Sequence, residues 1–385
     1  MQGETVVLIV GAGPAGLATS ACLNVMEIPN IVLEMEEGCA SLWKERSYDR
    51  LRLHLAKEFC QLPHMSFPSD APTFVSKSGF IQYLDDYVSH FKIHPFYNRL
   101  VQLASFDSCS HKWLVLAKNK FSGVIEEYVS KFLVVATGEN SKGFVPTIPG
   151  LSSFDGVVMH SSQYQNGMNF EHKDVLVVGC GNSGMEIAYD LSNYDANASV
   201  VVRNTVHVLT KKTVQLGMNL LKFFPCGIVD KIALLLAKLE FGDLSVYGLQ
   251  RPAKGPFYLK MTTGRSPVLD VGTIRKIKLG EIKVFPSVKM IDGDHIKFLN
   301  GKIKKIDAII FATGYKSTVK NWLKEDDSLF NEDGMPKKMR PNHWKGDNGL
   351  YCVGFSSNGL FGISNDAKNI TKDIVSCLSY GQLVS

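Results

Sequence analysis

The sequence lacks the cysteine patterns that mark disulfide-rich, metal-binding or disulfide-exchanging proteins. No two of its eight cysteines are spaced as CxxC or CxxxxC, and no cluster of cysteine and histidine has the spacing of zinc ligands. A disulfide reductase needs a close cysteine pair, so that class of enzyme is excluded. The pattern is typical of reduced thiols in a cytosolic protein, and we expect a cytoplasmic location and no metal centre.

The sequence also lacks a large excess of charge of either sign. The chain has 42 Lys and Arg against 37 Asp and Glu, a formal net charge of +5, which is too small to predict a nucleic-acid partner. The excess is local, because the segment from Arg251 to Lys320 holds 15 basic and 5 acidic residues. Two interpretations remain open: lysine-rich strands that face solvent, or a positive field for an anionic ligand.

Long uninterrupted hydrophobic runs are absent. The segment from Thr5 to Met26 carries no charge, but three glycines and a proline interrupt it and only Glu4 precedes it closely. It therefore predicts a strand, a turn and a helix rather than a signal peptide or a membrane span. The segment from Val214 to Phe241 is apolar but contains charged residues, and it predicts one or two amphipathic helices broken near Pro225–Gly227. We expect no transmembrane segment, while peripheral contact with a membrane surface stays open.

The first chemical motif is a glycine-rich turn after the apolar strand Thr5 to Val10. Gly11 allows the tight turn, Gly13 lets the backbone approach a pyrophosphate, and Gly16 lets the following helix pack closely. The helix N-terminus supplies free N–H groups to phosphates. The next strand, predicted at Asn30 to Leu33, leads to Glu34, where a carboxylate accepts hydrogen bonds from ribose hydroxyls. This context predicts a dinucleotide site.

The motif recurs 168 residues later, with Gly179, Gly181 and Gly184 after the strand Asp174 to Val178 and before a helix predicted at Met185 to Leu191. Its second strand ends at Arg203, where the first copy has an acid. An arginine can clamp a 2′-phosphate that a carboxylate would repel, so the second site is predicted to bind NADPH rather than NADH. The alternative is that this arginine only ends an exposed strand. FAD suits the first site because its adenosine ribose has a free 2′-hydroxyl.

Later strands indicate how the chain passes between the two sites. Two apolar strands end in Ala-Thr-Gly, and a third leads to a helix from about Ser364. In doubly wound flavoproteins, strands that end in Ala-Thr-Gly mark passages between the FAD and NADP domains. We therefore predict an α/β fold with two doubly wound Rossmann-like domains, the NADP domain inserted in the FAD domain. The predicted parts are an FAD-binding domain at 1–165 and 311–385, an NADPH-binding domain at 166–310, and a helical insert at about 212–245 that forms local core or a lid.

Beyond these glycine turns, the string FxGxxxHxxxY at Phe154–Tyr164, which contains His160, resembles the fingerprint of flavin-containing monooxygenases. Further segments resemble the plant YUCCA subfamily, and the resemblance covers about residues 4–380. They are Ala40–Trp43, Tyr48–Leu55, Cys60–Pro63, Ala136–Asn140, Gly179–Glu186 and Ser266–Asp270.

The resemblance implies a reaction: NADPH- and FAD-dependent oxidative decarboxylation of indole-3-pyruvate to indole-3-acetate, through a flavin C4a-(hydro)peroxide formed with oxygen. It also implies site residues. His54 stands where related enzymes place an amide near the reactive flavin, Asn140 is a polar contact there, Trp43 lies beside the flavin or fills the core, and His160 orients the chain under NADPH. An alternative function is that of a flavin monooxygenase that oxygenates a soft sulfur or nitrogen nucleophile. A third interpretation is a non-catalytic regulator that binds nucleotides.

Overall fold

The computed structural model describes residues 3–324 and 328–383. The strands, in chain order, are β1 (Gly3–Val10), β2 (Asn30–Leu33), β3 (Arg99–Asp107), β4 (Lys112–Asn119), β5 (Ile125–Val135), β6 (Lys142–Gly143), β7 (Val157–His160), β8 (Asp174–Val178), β9 (Asn197–Val201), β10 (Val208–Leu209), β11 (Val268–Leu269), β12 (Lys283–Phe285), β13 (Val288–Asp292), β14 (His295–Phe298), β15 (Ile303–Lys305), β16 (Ala308–Phe311), β17 (Tyr315–Lys316) and β18 (Leu350–Cys352). The α-helices are α1 (Pro14–Val25), α2 (Ser41–Lys44), α3 (Lys77–His90), α4 (Asn182–Asn193), α5 (Lys211–Leu220), α6 (Cys226–Phe241), α7 (Pro256–Thr263), α8 (Thr273–Lys278) and α9 (Gly359–Leu383).

The chain forms two units, and the second is inserted in the first. The first unit consists of Met1–Glu45, Ala56–Lys142 and Tyr315–Ser385, and the second of Arg46–Leu55 and Gly143–Gly314. These bounds differ from the predicted 166–310. Strand β7 precedes position 166 but pairs in parallel with β16, and Tyr48 belongs to the hydrophobic core of the second unit. Both contacts are made over long sequence separations.

The first unit is built on a sheet with the order β2-β1-β5-β4-β3. Strands β2, β1 and β5 run parallel, and β18 pairs in parallel with the end of β5, while β3 and β4 are antiparallel. The apolar half of β1 is fully buried, as expected for a strand covered on both faces. Parallel strands end at one edge, so the turn after β1 and the acid after β2 lie together there.

The second unit contains a five-stranded sheet with the order β12-β9-β8-β16-β7, all of whose pairings are parallel. One face packs on a core that includes α4, and the other on residues of the β13-β14-β15 antiparallel sheet. The carboxyl ends of β8, β9 and β16 therefore bring together the second glycine turn, the segment at Arg203, and the end of β16.

The predicted elements of both nucleotide-binding units are confirmed. Strand β2 and strand β8 have the predicted bounds, and α4 is longer at both ends than the predicted 185–191. The predicted break near Pro225–Gly227 separates α5 from α6. Helix α9 begins at Gly359, five residues before the predicted start. Within residues 3–324 and 328–383, no helix is long and apolar enough to cross a membrane.

Candidate functional site

The three glycines of the first turn are required for three different reasons. Gly11 has φ +107°, a left-handed conformation that disfavours any side chain. A Cβ on Gly16 would overlap the carbonyl oxygen of Gly11, so α1 approaches β1 only because this position lacks a side chain. A Cβ on Gly13 would meet nothing within 4 Å. The space at Gly13 is therefore open, as the prediction of a pyrophosphate at this position requires.

The second turn repeats this geometry. Gly179 has φ +120°, a Cβ on Gly184 would overlap the carbonyl oxygen of Gly179, and a Cβ on Gly181 would meet nothing within 4 Å. Each turn also packs on the alanine of an Ala-Thr-Gly segment. Ala136 lies under the first turn and Ala312 under the second. The two copies therefore agree in backbone geometry as well as in spacing.

Glu34 lies directly on the first turn. Its side chain is buried, and its two carboxylate oxygens accept hydrogen bonds from the backbone N–H groups of Ala12 (2.6 Å) and Glu36 (3.0 Å). Burial raises the pKa of Glu34, and the hydrogen bonds from Ala12 and Glu36 oppose that shift. A carboxylate has roughly four acceptor positions, so Glu34 can still accept from a further donor, and the structure brings this predicted ribose ligand and the glycine turn together.

Both helix N-termini are suited to anions. Among the described side chains, none caps α1 at Gly13 or α4 at Gly181, so the first N–H groups of the two helices are not satisfied by side chains. Beside the first turn, the hydroxyl of Thr137 is buried and has no hydrogen-bond partner within the described residues. A buried unpaired hydroxyl next to an open glycine cradle is consistent with a bound dinucleotide, so the residues fit the predicted cofactor.

Two arginines flank the second turn. Arg203 is exposed and follows β9, as predicted, and Arg265 donates to the carbonyl oxygen of Thr205. Burial raises the pKa of the Cys180 thiol in the turn, and the positive charges of Arg265 and Arg203 act against that rise. Arg265 was missed by motif reasoning, although it lies in the basic segment from Arg251 to Lys320.

The Arg203→Ala variant is expected to raise the KM for NADPH about 10- to 100-fold and to leave the KM for NADH nearly unchanged. The reason is that a charge-assisted hydrogen bond to a phosphate contributes roughly 1.5–3 kcal/mol. Steady-state kinetics with both nucleotides measure the ratio of the KM for NADPH to the KM for NADH, and Arg265→Ala should raise this ratio as well. Lys212→Ala, an exposed lysine nearby, is the control. If the ratio of the KM values for NADPH and NADH changes in Lys212→Ala but not in Arg203→Ala, the 2′-phosphate binds at Lys212 and the assignment to Arg203 is wrong.

His160 is a structural link within the second unit. Its Nε2 donates to the carbonyl oxygen of Gly314 (3.0 Å), and its Nδ1 lies 3.0 Å from the Ser162 hydroxyl. A carbonyl only accepts, so Nε2 carries the proton and Nδ1 accepts. Burial lowers the pKa of His160, so its neutral form is favoured. A side chain on Gly143 would collide with the ring. These contacts fit a residue that orients the chain.

His54 contacts the buried carboxylate of Glu186 in the second unit. Its Nε2 is 3.2 Å from one carboxylate oxygen of Glu186, and the Tyr48 hydroxyl donates to the other at 3.1 Å. Burial alone would raise the pKa of Glu186, but His54, the charge of Lys211 and the Tyr48 hydrogen bond hold it below its usual value. Glu186 is therefore ionised and only accepts, so Nε2 of His54 carries a proton and Nδ1 faces away from this bond.

Trp43 and Asn140 both belong to the first unit. Trp43 is half-buried on α2 and packs edge to face on Phe80, with ring centroids 4.5 Å apart. Asn140 is exposed in the turn after β5, close in sequence to Thr137 and Gly138. Nearby, the Ser357 hydroxyl donates to Glu139 at 2.9 Å. Their predicted roles beside the flavin stay predictions.

Potential metal ligands and cysteines do not cluster in the part of the chain that the structure describes. There, no group of three or more His, Cys, Asp or Glu side chains could hold a metal ion. The eight cysteines are free thiols. Two glycine turns, one followed by an acid and the other by an arginine, fit two bound dinucleotides.

Comparisons with known proteins agree with this geometry. The family model described as flavin-binding monooxygenase-like matches residues 4–343. The Arabidopsis thaliana protein named probable indole-3-pyruvate monooxygenase YUCCA10 is 53% identical over 98% of this chain and 98% of its own length. Indole-3-pyruvate monooxygenase YUCCA6 of the same plant is 47% identical over 96% and 90%. A flavin-containing monooxygenase from Stenotrophomonas maltophilia has TM-score 0.73 at 17% identity and covers 97% of this chain and 99% of its own, which shows the shared fold.

Proposed function

Because the chain belongs to the flavin-binding monooxygenase-like family and to its YUCCA-type members, we propose that it converts indole-3-pyruvate to indole-3-acetate, the auxin. It is a flavin-dependent monooxygenase that uses FAD and NADPH. One oxygen atom of O2 enters the new carboxylate, the other leaves as water, carbon dioxide is released, and NADPH supplies the electron pair. The observation that carries the proposal is the pair of matched glycine turns with an acid after the first and an arginine after the second.

The first unit is assigned to FAD. Gly11, Gly13 and Gly16 form the turn at the pyrophosphate, and the Glu34 carboxylate accepts a hydrogen bond from a ribose hydroxyl. The N-terminus of α1 adds N–H donors for the phosphates. When bound and reduced, the flavin activates oxygen for transfer to a substrate.

The second unit is assigned to NADPH. Gly179, Gly181 and Gly184 repeat the cradle, and Arg203 with Arg265 supplies the positive charge that a 2′-phosphate requires. The same unit holds His54 on the ionised Glu186. We assign His54 to the chemical step, where the ring edge at Nδ1 would hold the keto group of the substrate and stabilise the charge that develops there, and Glu186 to the positioning of His54. Asn140 and Trp43 are assigned to the flavin environment of the first unit.

The His54→Leu variant is expected to lower the product formed per NADPH consumed by about 100-fold, the lower end of typical general acid–base contributions. Flavin content and anaerobic reduction by NADPH should stay near wild type, and hydrogen peroxide should rise to balance the NADPH. Parallel assays of indole-3-acetate, peroxide and NADPH give the ratio.

Two further variants separate a chemical role from packing at this position. Glu186→Gln should reduce coupling in the same way, because an amide no longer fixes which ring nitrogen carries the proton. His54→Asn keeps a hydrogen-bonding group and should recover part of the coupling. If His54→Leu forms as much product per NADPH consumed as wild type does, His54 has only a packing role.

A comparison of products from different substrates tests the proposed function. The purified protein is given indole-3-pyruvate, or a thioether or tertiary amine, with NADPH and oxygen, and products are identified by mass spectrometry. We expect indole-3-acetate in amounts close to the NADPH consumed, and only slow oxygenation of the soft nucleophiles. Efficient sulfoxide or N-oxide formation without indole-3-acetate would favour the alternative reaction.

The proposed location is the cytoplasm. The eight free cysteines, of which Cys109 and Cys377 are exposed, support it because exposed thiols persist in a reducing compartment.

A further inference from the structure

Helix α6 in the second unit exposes a continuous apolar stripe. Its members are Ile228, Ile232, Leu235 and Leu239, which recur at intervals of four, three and four residues and therefore share one face. They are 48%, 37%, 59% and 75% exposed, respectively. Single exposed apolar residues are ordinary, but four in a row on one helix face form a patch of the kind that marks an interaction site.

The core does not account for this stripe, because the opposite face of α6 already packs on the protein. Val229, Ala233, Ala237 and Phe241 recur every four residues and are almost completely buried. Asp230, also buried, accepts hydrogen bonds from the first N–H groups of α7 and ties the two helices together. The helix is therefore apolar on two opposite faces, of which one is buried and the other is largely exposed.

Two further features extend the stripe. Phe223 and Phe224, in the turn before α6, are 80% and 48% exposed. Lys231 and Lys238 are exposed along one border of the stripe, seven residues apart, and Lys222 lies in the same turn as the phenylalanines. The segment 211–263 that carries these helices holds eight basic and three acidic residues, and one of the three acids is the buried Asp230.

We propose that this surface docks on an anionic membrane. The stripe and the two phenylalanines enter the boundary between headgroups and acyl chains, and the lysines contact acidic headgroups. A helix of 16 residues is about 24 Å long, shorter than the roughly 30 Å core of a bilayer, so α6 lies along the surface. Two copies meeting through this face would bring two basic segments together, whereas an anionic surface attracts them.

Flotation of the complete flavoprotein with vesicles tests the proposal. Vesicles of phosphatidylcholine alone are compared with vesicles that also contain phosphatidylserine, at low and high salt. Wild type should float with the anionic vesicles and be released by salt. Leu235→Ser/Leu239→Ser should reduce the bound fraction at least ten-fold, and Lys231→Ala/Lys238→Ala about five-fold per lysine at low salt. The control Leu299→Ser/Ile303→Ser removes two other exposed apolar residues of the second unit and should bind as wild type.

Each other outcome contradicts the proposal. Absence of wild-type flotation, equal flotation with neutral and anionic vesicles, or unchanged flotation of Leu235→Ser/Leu239→Ser would each overturn it. A wild-type dimer that this variant converts to a monomer, without vesicle binding, would assign the stripe to a second copy of the chain. Turnover of indole-3-pyruvate in solution should be unchanged in the stripe variant, which keeps this test independent of the proposed reaction.

Discussion

The Gly13→Ala variant is expected to fold normally and to purify with less than about a tenth of the wild-type flavin. The added methyl group meets nothing within 4 Å in the protein, so the fold has no reason to change. It does occupy the place where the pyrophosphate of FAD must approach the backbone of the turn. The absorbance of bound flavin relative to protein, together with circular dichroism, measures both expectations.

The matched variant is Gly181→Ala in the second turn, where an added Cβ also meets nothing within 4 Å. This variant should keep its full flavin content and raise the KM for NADPH at least ten-fold, because the same steric conflict now falls on the other dinucleotide. The two variants thus assign the two turns separately. Full flavin in Gly13→Ala, or flavin loss in Gly181→Ala, would contradict the assignment of FAD to the first unit.

The Gly16→Ala variant is expected to damage the fold itself. Its Cβ would overlap the carbonyl oxygen of Gly11, which is backbone, so α1 and β1 have to separate. Overpacking of this kind costs about 1–3 kcal/mol and sometimes more, and it should lower the unfolding midpoint of the first unit by roughly 5–10 °C.

Thermal unfolding should be measured after flavin has been removed from wild type, Gly13→Ala and Gly16→Ala, since bound flavin stabilises the folded state. Gly13→Ala then serves as the control and should match wild type. If Gly16→Ala unfolds at the same temperature as Gly13→Ala, close packing of helix and strand does not explain this glycine.

Local patterns predicted the nucleotide-binding units well. The strands β2 and β8 have the predicted bounds, and each of the glycines at 11, 13 and 16 has the conformation or contact that its position in the motif predicted. Such features depend on a few adjacent residues, whose allowed conformations follow from steric limits. The break between α5 and α6 was likewise predicted, because proline and glycine interrupt a helix locally.

Contacts between distant parts of the chain could not be predicted in this way. The segment Arg46–Leu55 belongs to the second unit, where Tyr48 and His54 contact Glu186, more than 130 residues later. No periodicity connects these positions. Arg265 reaches the second turn from beyond α7 for the same reason, and its only signal was the local excess of basic residues.

The most direct test of the central claim follows labelled oxygen into the product in the presence of catalase. The purified protein converts indole-3-pyruvate with NADPH under ¹⁸O₂, and mass spectrometry measures the label in indole-3-acetate. Catalase is essential, because free hydrogen peroxide decarboxylates 2-oxo acids without an enzyme. We expect one labelled oxygen per product carboxylate and about one product per NADPH, with catalase having no effect. Product that disappears when catalase is added would show that the protein only makes peroxide and is not the monooxygenase described above.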